Sequence, residues 1–218
     1  PRVIENIIVT KHIYDYYKSL EKGYKITEAF APGVKATTGI ETSDIIYSVV
    51  NKVNPGFLII IDALASDSVD RLLKTIQITN TGINPGSGIG NNRKEISCDI
   101  FDIPVIAIGV PTVVNASTIV NDTLNFMKKH FSYNIKNKNN LVDKLIPSGS
   151  INYLKNNNYT LSSEESKYFL GVLGNLSNME KKLLINDVLT PIGYNLMVTP
   201  KEIDMEVEDL SKIIANSL

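Results

Sequence analysis

Phe57-Leu58-Ile59-Ile60-Ile61-Asp62-Ala63-Leu64-Ala65-Ser66 sets five large apolar residues directly against a carboxylate. A short, unbroken apolar run bounded by turn residues is the pattern of a strand covered on both faces. Pro55-Gly56 supplies the turn ahead of it. Asp62 is then expected at the carboxyl end of the strand, where open α/β sheets place their ligands. A second reading makes Asp62 the cap of a helix beginning near Ser66. Periodicity leaves both open.

The surroundings of this run alternate between helix and strand. Ile13, Tyr14, Tyr17 and Leu20 share one helical face, as do Ile45, Ile46, Val49, Val50 and Val53, with Thr42 or Ser43 as the expected N-cap of the second helix. A short helix is read at Val69–Leu73, and Thr75–Thr79 alternates like a strand. Residues 104–109 (PVIAIG) form a second apolar strand, expected to end in the turn GVPT, and a helix follows from Ala116 to His130. Ser162 with Glu165 and Ser177 with Glu180 have capping-box spacing, and Thr199, Pro200 and Glu202 mark a third helix start after a short strand at residues 194–199. The expectation is one α/β domain over residues 1–218, with a largely parallel sheet flanked by helices in three layers and an Asn/Lys-rich surface loop or insertion at 132–160.

Composition narrows the function classes. The 22 basic and 23 acidic residues leave a net charge of -1 without a basic block, so nucleic acid is not expected as a direct partner. No apolar run approaches the ~18 residues that span a bilayer, and no signal peptide is visible. The single Cys98 excludes an intramolecular disulfide and fits a reducing compartment. His12 and His130 lack companions at zinc spacing, so neither metal nor cofactor is expected.

Gly86, Gly88 and Gly90 form G-x-G-x-G in the loop TGINPGSGIGNN. The spacing fits neither a dinucleotide fingerprint nor a P-loop, and Ser87 is not in a G-x-S-x-G elbow. Backbone amides at Gly86, Ser87 and Gly88 could still approach a substrate, with Arg93 or Lys94 holding a carboxylate or merely solvated. Peptide hydrolysis by carboxylates needs two of them, one to activate water and one to protonate the leaving group. Glu41, in TGIETSD, is the nearest candidate companion to Asp62 and a candidate substrate contact; a glutamate there also suits a helix dipole.

Four segments in order, PGVKATTGIETSDII, IIIDALASDSVDRLLKTIQITNTGINPGSGIGNNRKEI, IPVIAIGVPTVVNASTIVNDT and LTPIGYNLMVTPKEIDMEVEDL, resemble the bacterial spore germination protease family. The resemblance runs from the first residues to the last and is weakest across the Asn-rich middle. It implies an atypical aspartic-type endopeptidase that degrades small acid-soluble spore proteins at germination. It further implies a sheet similar to that of hydrogenase maturation proteases, a zymogen activated by propeptide removal, a homotetramer, and a cytoplasmic setting in the forespore and spore core. One catalytic aspartate of the family lies in the IDAL motif, here Asp62. The other falls a few residues before the segment matching Pro1-Arg2-Val3, so a chain lacking its N-terminal part is expected. The family's glycine loop usually carries a histidine where this chain has Asn84, which weakens a chemical role for that loop. A catalytically incomplete fragment acting as a binding or assembly module is the alternative, and a metal-assisted peptidase is a third, weaker one.

Overall fold

The FLIII run forms strand β1, Leu58–Ser66, in a computed structural model that describes residues 1–85, 94–136, 159–189 and 196–218. Successive side chains of a strand point to opposite faces, and here the two faces meet different cores. Leu58 and Ile60 pack on a cluster of Ile46, Val50, Ile96, Phe101 and Val105. Ile59 and Ile61 pack on Val3, Ile108, Val110 and Ile214. An apolar residue at every position, not every second one, is what this double coverage requires.

Helix α1 spans Lys11–Tyr17, α2 is the single turn Lys35–Thr38, and α3 spans Thr42–Val53. Glu41, not Thr42 or Ser43, occupies the N-cap position of α3, in extended conformation. The helix stops at Asn54, whose left-handed φ of 53° lets its N–H reach Val50 O at 2.7 Å. Pro55-Gly56 cannot extend the helix and the chain turns back into β1. Ser43, Ile46 and Val50 form the buried stripe of α3, and the last two bind it to the face of β1 that carries Leu58 and Ile60.

Strand β2 is Gln77–Thr79 and α4 is the turn Cys98–Phe101. Strand β3, Val105–Asn115, is longer than its sequence suggests. It runs straight through Gly109-Val110-Pro111-Thr112, which had read as a turn. Gly109 is there for space: a Cβ on it would lie 2.2 Å from Leu64 Cδ1. Pro111 O accepts the N–H of Leu73 at 2.8 Å.

The sheet has the order β1-β3-β2, with β4, Met197–Val198, also pairing β3. Gln77 faces Gly109 and Thr79 faces Ala107 in antiparallel register; Val114 faces Val198, also antiparallel. The expectation of a largely parallel sheet is corrected for these pairings. A parallel neighbour needs a crossover helix, whereas the chain between β2 and β3 is closed by an antiparallel bridge, Ile83 to Ile96, and the one helix described there is the four-residue α4.

The residues group into two compact units: Pro1–Ala65 with Leu73–Thr112 and Thr199–Leu218, and Ser66–Leu72 with Val113–Val198. The first holds α1 to α4, β2 and the last helix, α8, Ile203–Ser217, which packs on the 3-10 turn Ile4–Asn6. Thr199 Oγ donates to Thr112 O rather than capping α8. The second unit is mainly helical: α5, Ala116–Lys136, packs on α7, Asn178–Leu189, and α6 is Ser163–Leu170. Helix α5 runs past His130 and takes in residues 132–136 of the segment read as a loop; Ser132 and Tyr133 are buried. The rest of that segment to residue 158, like residues 86–93, lies outside the described residues. Both predicted capping boxes are formed, Ser162 with Glu165 and Ser177 with Glu180.

Candidate active site

Asp62 is the fifth residue of the nine in β1, so it stands at mid-strand and not at the carboxyl end. Nor does it cap a helix, because the 3-10 turn at Val69–Arg71 is capped by Ser68, whose hydroxyl accepts the N–H of Asp70. The half-buried carboxylate therefore owes its place to strand alternation. It shares a face with Leu58 and Ile60, the face covered by α3.

Element lengths bring a second group of residues to that level. Helix α3 rises about 18 Å over its length, and β1 advances about 13 Å from Leu58 to Asp62. The two run back from one short turn at residues 54–57, with Ile46 and Val50 against Leu58 and Ile60. By this count the first turn of α3 lies at the level of Asp62.

That turn borders an open pocket of about 510 Å³ lined by Lys35, Gly39, Ile40, Glu41, Asp44 and Lys94. Glu41, with its side chain only 14% exposed, pairs with Lys35 Nζ at 2.8 Å and makes no cap hydrogen bond. Asp44 accepts from Lys94 Nζ at 2.8 Å. The hydrogen bond to Asp44, then its charge, with a smaller contribution from Glu41, raises the Lys94 ammonium above the ordinary lysine value despite partial desolvation. Lys94 is thus neither merely solvated nor a free carboxylate hook, the two roles its sequence position suggested. It ties its own position in the chain to the first turn of α3.

Of the residues expected to touch substrate, Glu41 is placed at this turn, while Gly86, Ser87, Gly88 and Arg93 lie outside the described residues. Asn84 is exposed and directly follows Ile83, which forms an antiparallel bridge with Ile96. Sequence reasoning missed Lys35 and Asp44 as pocket residues and took Ser43 only for a cap. Ser43 is 7% exposed and its hydroxyl meets no hydrogen-bond partner among the described residues. The one available signal was its place at the head of the stripe Ser43, Ile46, Val50.

Among the described residues no three of His, Cys, Asp and Glu gather as metal ligands. No described helix is long and apolar enough to cross a membrane.

A family profile described as germination protease matches residues 1–218. Curated relatives named germination protease include one from Bacillus cereus (strain B4264), 48% identical, and one from Priestia megaterium, 47% identical. A third, from Geobacillus sp. (strain WCH70), is 47% identical. Each alignment covers 100% of this chain and 60% of the relative, so the chain spans about three fifths of the length of these relatives. Profile and alignments both extend over the whole chain, which belongs to the germination protease family.

Proposed function

We propose that this chain is part of an endopeptidase that hydrolyses small acid-soluble spore proteins during germination, with Asp62 as one member of a water-activating carboxylate pair. Family membership over residues 1–218 is the observation that carries this reading. The setting of Asp62 supports it. A carboxylate held by a doubly covered strand keeps its direction, since its backbone is fixed by packing on both faces.

In the reaction, the carboxylate takes a proton from water as the water oxygen attacks the scissile carbonyl carbon. The partner carboxylic acid protonates the departing amine. The pocket at α3, with cationic and anionic groups already paired, suits a peptide substrate whose backbone is polar and uncharged. The spore core as compartment, a zymogen precursor and a homotetrameric assembly belong to the same proposal.

The test is mass-spectrometric detection of cleavage of a small acid-soluble spore protein. It compares this 218-residue chain, a version extended upstream of Pro1 to the length of the relatives, and Asp62→Asn in both. Asp62→Asn is expected to lower cleavage at least about 10³-fold, in line with loss of a general base and nucleophile-activating group, without loss of fold. Normal cleavage by that variant removes Asp62 from the mechanism. Substrate binding without cleavage by both unmodified versions would instead favour a binding or assembly role.

A further inference from the structure

We infer that the open pocket before α3 is a subsite that selects an acidic side chain of the peptide substrate, held between the ammonium groups of Lys35 and Lys94. The inference rests on the proposed peptidase function and deepens it by naming the class of side chain the pocket takes.

Accessibility comes first. The pocket is open, and its volume of about 510 Å³ has room for a side chain and the backbone that carries it. The lysine side chains are its exposed members, at 51% for Lys35 and 64% for Lys94, whereas that of Glu41 is 14% exposed. An incoming group therefore meets ammonium before it meets the inner carboxylate. Asp44, 51% exposed, already accepts from Lys94 Nζ at 2.8 Å.

Charge decides the class of ligand. Lys35 pairs with Glu41 and Lys94 with Asp44, so the four side chains cancel. What remains is the amino end of α3, a helix of twelve residues. Its dipole directs positive charge along the axis toward Gly39, Ile40 and Glu41, which precede it and line the pocket. No cap neutralises that end, because the Glu41 side chain makes no cap hydrogen bond. An ammonium has three donors, and among the described residues Lys35 and Lys94 each engage one carboxylate. Donors are left on both for a second carboxylate between them. The hydrogen bond to Asp44, then its charge, raises the Lys94 ammonium above the ordinary lysine value, so it stays charged in neutral solution. A basic side chain would find both carboxylates engaged and two ammonium groups repelling it.

The uncharged wall suits the rest of such a residue. Gly39 has a left-handed φ of 71°, and a Cβ built on it would meet nothing within 4 Å. The pocket's edge is bare backbone there, against which an extended peptide can lie. Ile40, 53% exposed, offers an apolar contact for the methylene stem of a glutamate. Because both ammonium groups are already held by their own carboxylates, little ordering is needed when the substrate's carboxylate arrives.

The test uses peptides tiling a small acid-soluble spore protein, each beside copies in which one acidic residue is replaced by its amide. KM and kcat are read in whichever version of the chain cleaves, and anisotropy of the labelled peptides on Asp62→Asn gives Kd without turnover. At one acidic position the amide should raise KM and Kd about 5- to 10-fold at low salt with kcat little changed, the reach of two partly exposed ion pairs. Lys94→Met should cut that penalty to about 2- to 3-fold, and Lys94→Arg should keep it. The Tm of Lys94→Met should hold, because Asp44 is exposed enough to be solvated alone. Lys35→Met repeats the comparison from the other lysine, and about 1 M salt should erase the penalty. A penalty unchanged by either methionine variant, or no acidic position with a penalty, overturns the subsite; with Asp62→Asn inactive, the proposed function stands. A loss that follows amidation of the peptide's C-terminus instead also overturns it, in favour of a site for a free chain end. Undiminished cleavage by Asp62→Asn overturns the proposed function, and the Kd comparison then decides separately whether the pocket reads acidic side chains.

Discussion

Gly109 shows how much one missing side chain can carry. Its backbone φ is ordinary for any residue, so no conformational argument demands glycine; Leu64 does, by filling the space where a Cβ would sit, 2.2 Å from its Cδ1. Gly109→Ala must push β1 and β3 apart or force Leu64 out of its rotamer. Overpacking of this kind costs about 1–3 kcal/mol, and the urea midpoint should fall with the slope unchanged. In a Leu64→Ala background the same substitution should cost much less, and additive losses would refute the contact. Residues of this kind explain what the sequence concealed. Gly-Val-Pro-Thr carries turn signals because glycine and proline have local preferences, but here a neighbour one strand away decides. Asp62 stood out in the sequence as a carboxylate closing an apolar run, but its place at mid-strand did not, because the strand continues through Ala63-Leu64-Ala65-Ser66. The burial of Ser43 did not show either, since a serine at a helix start resembles a cap, and only packing shows its hydroxyl turned inward.

Helix starts were the most readable elements, since a capping box is written within four consecutive residues. In both boxes the glutamate side chain accepts the serine N–H at 2.8 Å, and the serine hydroxyl accepts the glutamate N–H at 3.2 Å. The Ser162 backbone bond, then its side chain, holds Glu165 below the ordinary glutamate value; for Glu180 the Ser177 side chain leads and the backbone bond follows. A carboxylate depressed in the folded state adds stability above its unfolded value of 4.5, and that stability disappears as pH falls through the folded value. A Glu165→Gln, Glu180→Gln double variant, which keeps the shape of both boxes and removes the charge, should therefore melt below the wild type at pH 7 and nearly with it at pH 3. An equal gap at both pH values would show that the carboxylates are not the source. The third expected start failed because tertiary structure outbid it: Thr199 bonds β3 at Thr112 O, and α8 begins at Ile203. Strand direction failed for a related reason. Only three residues of β2 pair with β3, too few to leave a pattern that distinguishes antiparallel from parallel.

At the scale of the whole molecule, charge and apolar exposure act together. The formal net charge is -1 and the isoelectric point lies near 6.2, so little mutual repulsion separates copies in mildly acidic solution. Large side chains also stand in solvent in each unit: Tyr16 at 83%, Tyr168 at 86%, Val172 at 75%. Light scattering of the purified chain should peak near pH 6 and fall by pH 8, where net negative charge has grown; a flat profile would place the cause outside charge. The α/β class could be read from the order of runs. Division into two units could not, because the second enters the chain twice, at Ser66–Leu72 and at Val113–Val198, with no linker composition to mark either crossing.

The α3–β1 pair, finally, behaves as a ruler. The level of the first turn of α3 along β1 is a count of residues: up a helix of twelve, around Asn54-Pro55-Gly56-Phe57, and along five of a strand. Substitutions within that path alter packing by degrees. One inserted residue after Val50 in α3 would swing the turns before it by about 100° and advance them about 1.5 Å, carrying Ile46 and Val50 off the face of β1 they cover. In a lineage that keeps the reaction, drift in this segment should therefore exchange letters freely and almost never change their number.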